Sequence, residues 1–263
     1  MPNDTSPATQ TQFAERRRQF RALHEHGCFL LPNPWDIGGA VRLERLGYRA
    51  IASSSSACAH TLGLEDYQIS MAMALDHLRT LVAATKLPVN ADFENGFADS
   101  PEHVAENVRL AISTGIAGVS IEDRGSDGLY DKTLAAERVA AAKQAIEASG
   151  ENVVLVARTE AFLHGETSQG PVIERLQRYA EAGADCLYAP GANDIRVIGD
   201  IARAVAPLPL NVLMWGSAMR VADLAAAGVR RVSLGGALAS ASWRGFDAAA
   251  REFIEHGRLL PSS

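Results

Sequence analysis

The stretch PVNADFENGFADSPEHVAENVRLAISTGIAGVSIED (88–123) decides how the chain is read. A short apolar run, PVNADF (88–93), is followed by an amphipathic segment and then by a second apolar run, AGVSIE (117–122). Short apolar runs on either side of a helix-length segment are the pattern of parallel strands joined by a crossover helix. The punctuation agrees. Ser100 stands as an N-cap, Pro101 takes the first helical position, and Gly115 ends the helix, where a left-handed residue turns the chain into the next strand.

The same alternation continues in both directions. Further strands are expected at CFLLP (28–32), AIASS (50–54), VVLVAR (153–158), DCLYA (185–189), LNVLM (210–214) and RRVSL (230–234), which brings the count to eight. The helix VIERLQRYAEAG is expected between Pro171 and Gly183, and Ala227-Gly228 repeats the same ending. At 263 residues the chain is close to the roughly 250 that eight strand-helix units need. The expected fold is α/β: a (β/α)8 TIM barrel forming a single domain over 13–263, behind a polar, disordered tail over 1–12. A doubly wound open sheet shares this periodicity, but the number and even spacing of the runs favour a barrel. The loops His60–Ser70 and Gly125–Lys132 are expected to be mobile.

Composition narrows the function. A net charge of −6 and a pI of about 5.7 do not suit a nucleic-acid-binding surface. The single cationic run, Arg16-Arg17-Arg18, reads as the solvated face of a first helix. Cys28, Cys58 and Cys186 lie far apart without metal-like spacing, which suggests buried thiols in a reducing compartment. With no apolar leader and no run approaching ~18 apolar residues, the chain is expected to be cytoplasmic and free of membrane contact.

In such a barrel the chemistry sits at the carboxyl ends of the strands. Acids gather there: Asp92 and Glu94 after the third run, Glu122 and Asp123 after the fourth, with Arg158 at the end of the fifth. Carboxylates crowded into one pocket cannot all stay ionised without compensation. A hard divalent cation such as Mg²⁺ supplies it, through one or two direct carboxylates and several waters. The turn Ser53-Ser54-Ser55-Ser56 offers consecutive backbone amides that can cradle a carboxylate or phosphonate. A serine nucleophile is poorly supported, since there is no Gly-x-Ser-x-Gly elbow. The histidines at 24, 26, 60, 77, 103, 164 and 256 lack ligand spacing and read as structural or surface residues. Met71, Met73, Trp243 and Phe246 read as packing residues.

Taken together, PNPWDIGGA (32–40), SSSS with LGLED (53–56, 62–66), ADFENGF (91–97), GVSIED (118–123), ARTEAF (157–162), GADCLYAPG (183–191) and LNVLMWG (210–216) resemble the isocitrate lyase and phosphoenolpyruvate mutase superfamily from about Phe20 to Leu238. The resemblance implies an enzyme that binds Mg²⁺, with Mn²⁺ as a substitute, and a small 2-oxo acid. It implies Asp92, Glu94 and Glu122 as the metal site, largely through water, with Asp66 nearby. It further implies Ser54, Ser55 and Ser56 around the substrate carboxylate, Arg158 on the oxyanion, and Asn211 and Trp35 beside the substrate. Arg158, Glu122 and Asp66 are the catalytic candidates.

There are departures from the family pattern. The isocitrate and methylisocitrate lyases carry a Lys-(Lys/Arg)-Cys-Gly-His loop after the fourth strand, where this chain reads Glu122-Asp123-Arg124-Gly125-Ser126-Asp127-Gly128. Gly191 stands where those lyases place a glutamate, and Glu94 where the phosphonate enzymes place a second aspartate. The leading expectation is a Mg²⁺-dependent lyase that cleaves a C–C bond of a small 2-oxo or 2-hydroxy dicarboxylate through an enolate. A phosphonopyruvate mutase or hydrolase, and a catalytically silent 2-oxo acid binder, are the alternatives. A homodimer or homotetramer is expected, with a C-terminal helix packed on or swapped with a neighbouring subunit.

Overall fold

A computed structural model describes residues 7–216 and 218–259. The strands are β1 (Phe29–Leu31), β2 (Ile51–Ala52), β3 (Val89–Asp92), β4 (Gly118–Glu122), β5 (Arg124–Gly125), β6 (Gly128–Leu129), β7 (Val154–Arg158), β8 (Cys186–Tyr188), β9 (Leu210–Leu213) and β10 (Arg231–Ser233). β5 and β6 form a small antiparallel hairpin. The other eight form one parallel sheet in the order β1-β10-β9-β8-β7-β4-β3-β2. Its two edge strands meet: Ala52 N–H donates to Pro32 O at 3.0 Å. Asn33 reinforces this seam, donating to Ser53 O at 2.8 Å while its Oδ1 accepts from the amides of Leu234 and Gly235 at 3.1 and 2.9 Å. The sheet therefore curls into a nearly closed (β/α)8 barrel, and the open-sheet alternative falls.

The helices are α1 (Pro7–Glu25), α2 (Ile37–Arg45), α3 (Ser55–Thr61), α4 (Met71–Ala84), α5 (Pro101–Ser113), α6 (Lys132–Ser149), α7 (Gln169–Glu181), α8 (Ile195–Val205), α9 (Val221–Ala226) and α10 (Ala237–His256). α5 has the expected ends: Ser100 Oγ accepts from His103 N–H, and Gly115 sits at φ 90°. A Cβ on Gly115 would lie 2.5 Å from the Phe13 ring, so the position demands glycine twice over. α7 starts two residues before Pro171, which falls in its first turn, where a missing N–H removes no helical bond.

Of the tail expected over 1–12, residues 1–6 lie outside the described residues, and from Pro7 the chain is helical. α1 lies across the N-terminal end of the barrel. Phe20 is fully buried in a cluster with Phe29, Leu31, Val154, Val156 and Cys186. His24 meets Phe20 and Phe29 edge-on at 4.7 and 4.9 Å, and burial lowers its pKa to about 3.

The solvated reading of the arginine run holds for Arg18 but not for Arg17, which is 2% exposed. Arg17 donates to Ile112 O and Ile116 O at 3.1 and 3.0 Å and pairs with Glu151. The carbonyls of a helix's last turn lack intrahelical donors, and a cation is a natural partner for them. Trp243 and Phe246, expected as packing residues, are exposed on α10, whose only buried residue is Ala239. Among the described residues no helix is long and apolar enough to cross a membrane.

Candidate active site

Barrel geometry brings the ends of β3, β4 and β7 side by side. Glu122 pairs in register with Arg158, and Asp92 with Ser120. Arg158 Nη1 lies 3.5 Å from Glu122 Oε2 and 3.6 Å from Asp92 Oδ1, and its Nε donates to Glu160. Its guanidinium also sits 5.2 Å from the centre of the Tyr188 ring. The expected acids and Arg158 therefore do share one mouth.

Buried carboxylates dominate that mouth electrostatically. Glu94 and Glu122 are 6% and 4% exposed, and each has one carboxylate oxygen, Oε1, without a hydrogen-bond partner. Burial, together with the charges of Asp92 and Asp66, pushes the Glu94 carboxyl up to about 8. Burial also raises Glu122, against the pull of Arg158. Asp66 is raised by partial burial and by Asp92. Among the described residues no three Asp, Glu, His or Cys side chains form a ready-made metal cage. Two orphaned carboxylate oxygens beside Asp92, an all-oxygen donor set, nevertheless fit a hard divalent cation that keeps part of its water.

The serine turn differs from expectation. Ser55 donates through both N–H and Oγ to Asp92 Oδ2 at 2.9 Å, and Ser53 Oγ accepts from Asp92 N–H at 2.8 Å. Ser54 Oγ caps α3 by accepting from Ala57 N–H. The turn thus first orients Asp92. Asp123 is also unlike its neighbours: it accepts from Thr159 Oγ1, Glu160 N–H, Tyr179 OH and Arg175 at 2.6–3.1 Å. With its lone pairs so used, it is a structural hub tying β4 to β7 and α7. Asn211 is buried, donates to Ser233 Oγ at 3.0 Å and leaves Oδ1 unpartnered, while Trp35 is half-buried in the loop after β1.

Two supports were not singled out in the sequence. The loop after β3 has Glu94, Gly96 and Phe97 at φ 44°, 75° and 54°, a conformation costly for the two non-glycine residues. Asn107 holds it by donating to Gly96 O at 2.8 Å. Arg138, 1% exposed, donates to Ala98 O at 2.7 Å, to Glu122 O at 3.2 Å and to Asn95 O. The signal for Arg138 was present, since it falls on the buried stripe Ala135, Arg138, Val139, Ala142, Ala145, Ile146 of α6, where an arginine must find internal partners.

The β5–β6 hairpin takes the place of the expected mobile loop. Arg124 stacks 3.6 Å from the centre of the Tyr67 ring, above a cavity of about 240 Å³ lined by Glu94, Asn95 and Ser126 among others. Gly191, at the position matched to the lyases' glutamate, has φ 95°, and a Cβ there would lie 2.9 Å from Phe162 Cβ. The loop after β8 is therefore built around the absence of a side chain.

An acidic, arginine-bridged mouth at the C-terminal end of a (β/α)8 barrel lies where enzymes of this fold carry their chemistry. The sequence model of the phosphoenolpyruvate phosphomutase family matches residues 20–254, and the chain belongs to that family, within the superfamily it shares with the isocitrate lyases. It is 34% identical over 93% of its length to an uncharacterised Mycobacterium tuberculosis H37Rv protein, of which the match covers 92%. It is 30% identical to the 2-methylisocitrate lyase of Halalkalibacterium halodurans, over 80% of this chain and 71% of that enzyme. A Burkholderia cenocepacia J2315 crystal structure, provisionally described as a lyase/mutase, superposes with a TM-score of 0.92 at 44% identity, covering 94% of this chain and 91% of that one.

Proposed function

We propose that this enzyme is a Mg²⁺-dependent lyase that cleaves a C–C bond of a small 2-oxo or 2-hydroxy dicarboxylate, by retro-aldol cleavage or decarboxylation, through an enolate. The observation that carries the reading is the pair of buried, partnerless carboxylate oxygens on Glu94 and Glu122 beside Asp92 and Arg158. The likeness to a 2-methylisocitrate lyase supports it.

Asp92, Glu94 and Glu122 would hold the ion, with Asp66 nearby. When bound, it supplies Lewis acidity at the oxo and carboxylate oxygens of the substrate. Asp92 is fixed for this by Ser55 and Ser53. With Ser55 so engaged, Ser54 and Ser56 contribute the remaining amides of the turn to the substrate carboxylate. In decarboxylation of a 2-oxo dicarboxylate the C–C bond pair stays on the oxo-acid fragment. In retro-aldol cleavage of a 2-hydroxy dicarboxylate the hydroxyl loses its proton, its carbon becomes the C=O and the pair goes to the other carboxylate fragment. In either case Arg158 stabilises the negative oxygen that develops. Asn211 would orient a 2-hydroxy substrate by accepting from its hydroxyl at the unpartnered Oδ1, and Trp35 would bound the mouth on the β1 side.

The test is direct. Purified protein with Mg²⁺ is offered oxaloacetate, methylisocitrate, substituted malates and phosphonopyruvate. A 2-oxo acid released from one of the carbon substrates is the expected result, and its absence from all of them would end the reading. The family match favours a second reading, P–C chemistry on phosphonopyruvate, for which phosphorus NMR would show phosphate or a phosphate ester. We further propose a cytoplasmic homodimer or homotetramer in which the exposed Trp243, Phe246, Phe253 and Ile254 of α10 are covered by a second copy. A monomeric mass by light scattering would refute the assembly.

A further inference from the structure

One cation of this barrel is buried without an acid to balance it. Arg231, the first residue of β10, is 2% exposed. Its Nη1 donates to Asn90 Oδ1 at 3.3 Å, its Nε has no partner, and among the described residues no carboxylate forms an ion pair with it. In the closed sheet β10 is separated from β3, which carries Asn90, by β1 and β2, so this bond crosses the interior of the barrel. Beneath the guanidinium the Phe20 ring centre lies 5.9 Å away, and burial together with the charge of Arg231 keeps His24 neutral. Above it, Asn90 donates through Nδ2 to Ser120 Oγ at 2.9 Å, and Ser120 stands in register with Asp92. Asn90 and Asp92 are two steps apart on one strand and share its inward face. Arg231 therefore lies inside the barrel, one layer below the acids of the mouth.

Burial disfavours such a charge and lowers the Arg231 pKa, yet a guanidinium starts so high that it stays protonated. A structural arginine recovers the cost of its burial from carbonyls or an acid, as Arg17 and Arg138 do. Arg231 has no such set of partners. The carboxylate whose charge reaches it is Asp92, so its influence is directed at the mouth and at whatever the mouth holds. That influence has a sign. A fixed cation beneath the mouth opposes a divalent cation bound there and favours an anion. Unit charges about 10 Å apart at an effective dielectric of about 20 change each other's binding by on the order of 10-fold.

We propose that Arg231 is a positioning residue of this enzyme, a fixed counter-charge under the mouth that favours a dianionic substrate and restrains the hold of the acids on the metal. It is too deeply buried to touch either ligand and acts through space, from below Asn90 and Ser120. With a neutral residue in its place, Asp92, Glu94 and Glu122 would hold a divalent cation tightly whether or not substrate were present. With Arg231 there, the carboxylates of the substrate become part of the charge balance of the filled site. The proposal rests on the metal-and-carboxylate reading of the mouth given above.

The experiment reads the two signs separately. Wild type, Arg231→Gln, Arg231→Met and Arg231→Lys are titrated by calorimetry with Mg²⁺ alone, and then with oxalate, a planar dianion, at saturating Mg²⁺. Both titrations are run at about pH 9.5, where the acids of the mouth are ionised in every variant. Gln keeps a donor for Asn90 without the charge, Met removes both, and Lys keeps the charge. Gln and Met relieve the burial of an unpaired ion, a change that a folded core tolerates, and thermal melts check each variant. The expected result is that Mg²⁺ binds Arg231→Gln and Arg231→Met about 10-fold or more tightly than wild type, while oxalate binds them about 10-fold or more weakly. Arg231→Lys should stay within a few-fold of wild type for both ligands. Damage to the structure would weaken both together, so any result in which the two shifts are not of opposite sign overturns the proposal. A Lys variant that behaves like Gln overturns it too, since charge would then not be what matters. If wild type binds neither Mg²⁺ nor oxalate, the reading of the mouth itself fails, and the role of Arg231 with it.

Discussion

At the N-terminal end of the barrel Arg17 is met by two backbone carbonyls and Glu151, whereas at the C-terminal end Glu94 and Glu122 each keep a buried oxygen that nothing meets. Both ends bury charge, with opposite outcomes. The closed end gives the Arg17 cation internal partners and packs Phe20, His24 and Phe29 beneath it, leaving neutral His24 Nε2 and Arg231 Nε as its unpartnered buried atoms. The open end holds strained backbone at Glu94 and Phe97 and carboxylates raised in pKa, conditions that a bound ion and substrate would relieve. On the proposed function one end contributes stability and the other receives the ligand, the division expected of barrel enzymes.

The comparison can be broken in several places. Replacing Arg158 by Gln leaves Glu122 and Glu160 buried without their cation. It should lower kcat by roughly 10²–10³, and denaturant melts should also show a loss of ~3–5 kcal/mol. Phe20→Ala, at the closed end, should cost a similar ~3–5 kcal/mol in the same melts and leave kcat unchanged. A change in kcat there would mean that the two ends are coupled through the strands. Asn33→Ala should cost about 1–3 kcal/mol, since it strips partners from buried groups at the β1–β2–β10 seam.

The smallest effects are in pH dependence, and the two ends should respond in opposite senses. Glu94 has a folded pKa of about 8, above its unfolded value. The metal-free folded state therefore binds the extra proton, and this contribution to stability is lost as pH rises from the ordinary glutamate range through about 8. Glu94→Gln should flatten that slope in thermal melts without Mg²⁺. His24 has a folded pKa of about 3, below its unfolded value, so its contribution is lost as pH falls from about 6.5 towards 3. A metal-free protein whose stability does not change between pH 6 and 8 would contradict the Glu94 assignment.

Much of the fold was legible. Each expected strand is present within two residues of its quoted range, because a parallel barrel strand is buried on both sides and reads as a continuous apolar run. The Ser100-Pro101 start and Gly115 stop of α5 were readable because capping chemistry is local. The arginine run was misjudged at Arg17, whose acceptors come from 95 and 99 residues away. Trp243 and Phe246 were misjudged because an apolar helical pattern does not say whether the surface that covers it belongs to the same chain.

The acids were legible as a set because they share a position, the strand end. Their separate environments were not: Asp123 differs from Glu122 by one step along the chain, yet it turns to Tyr179 and Arg175 of α7 while Glu122 turns to Arg158. Arg138 and Tyr67 were passed over for the same reason, since their partners lie on other elements.

The sequence by itself determined the barrel, the family and the acidic composition of the mouth, all of which rest on local periodicity, caps and motif order. Only the tertiary structure decided which acids stay partnerless, that Ser55 serves Asp92, and that Tyr67 and Arg124 stack on each other beside Glu94. Those outcomes depend on which side chains from distant strand ends arrive within hydrogen-bonding distance, and barrel closure alone sets that.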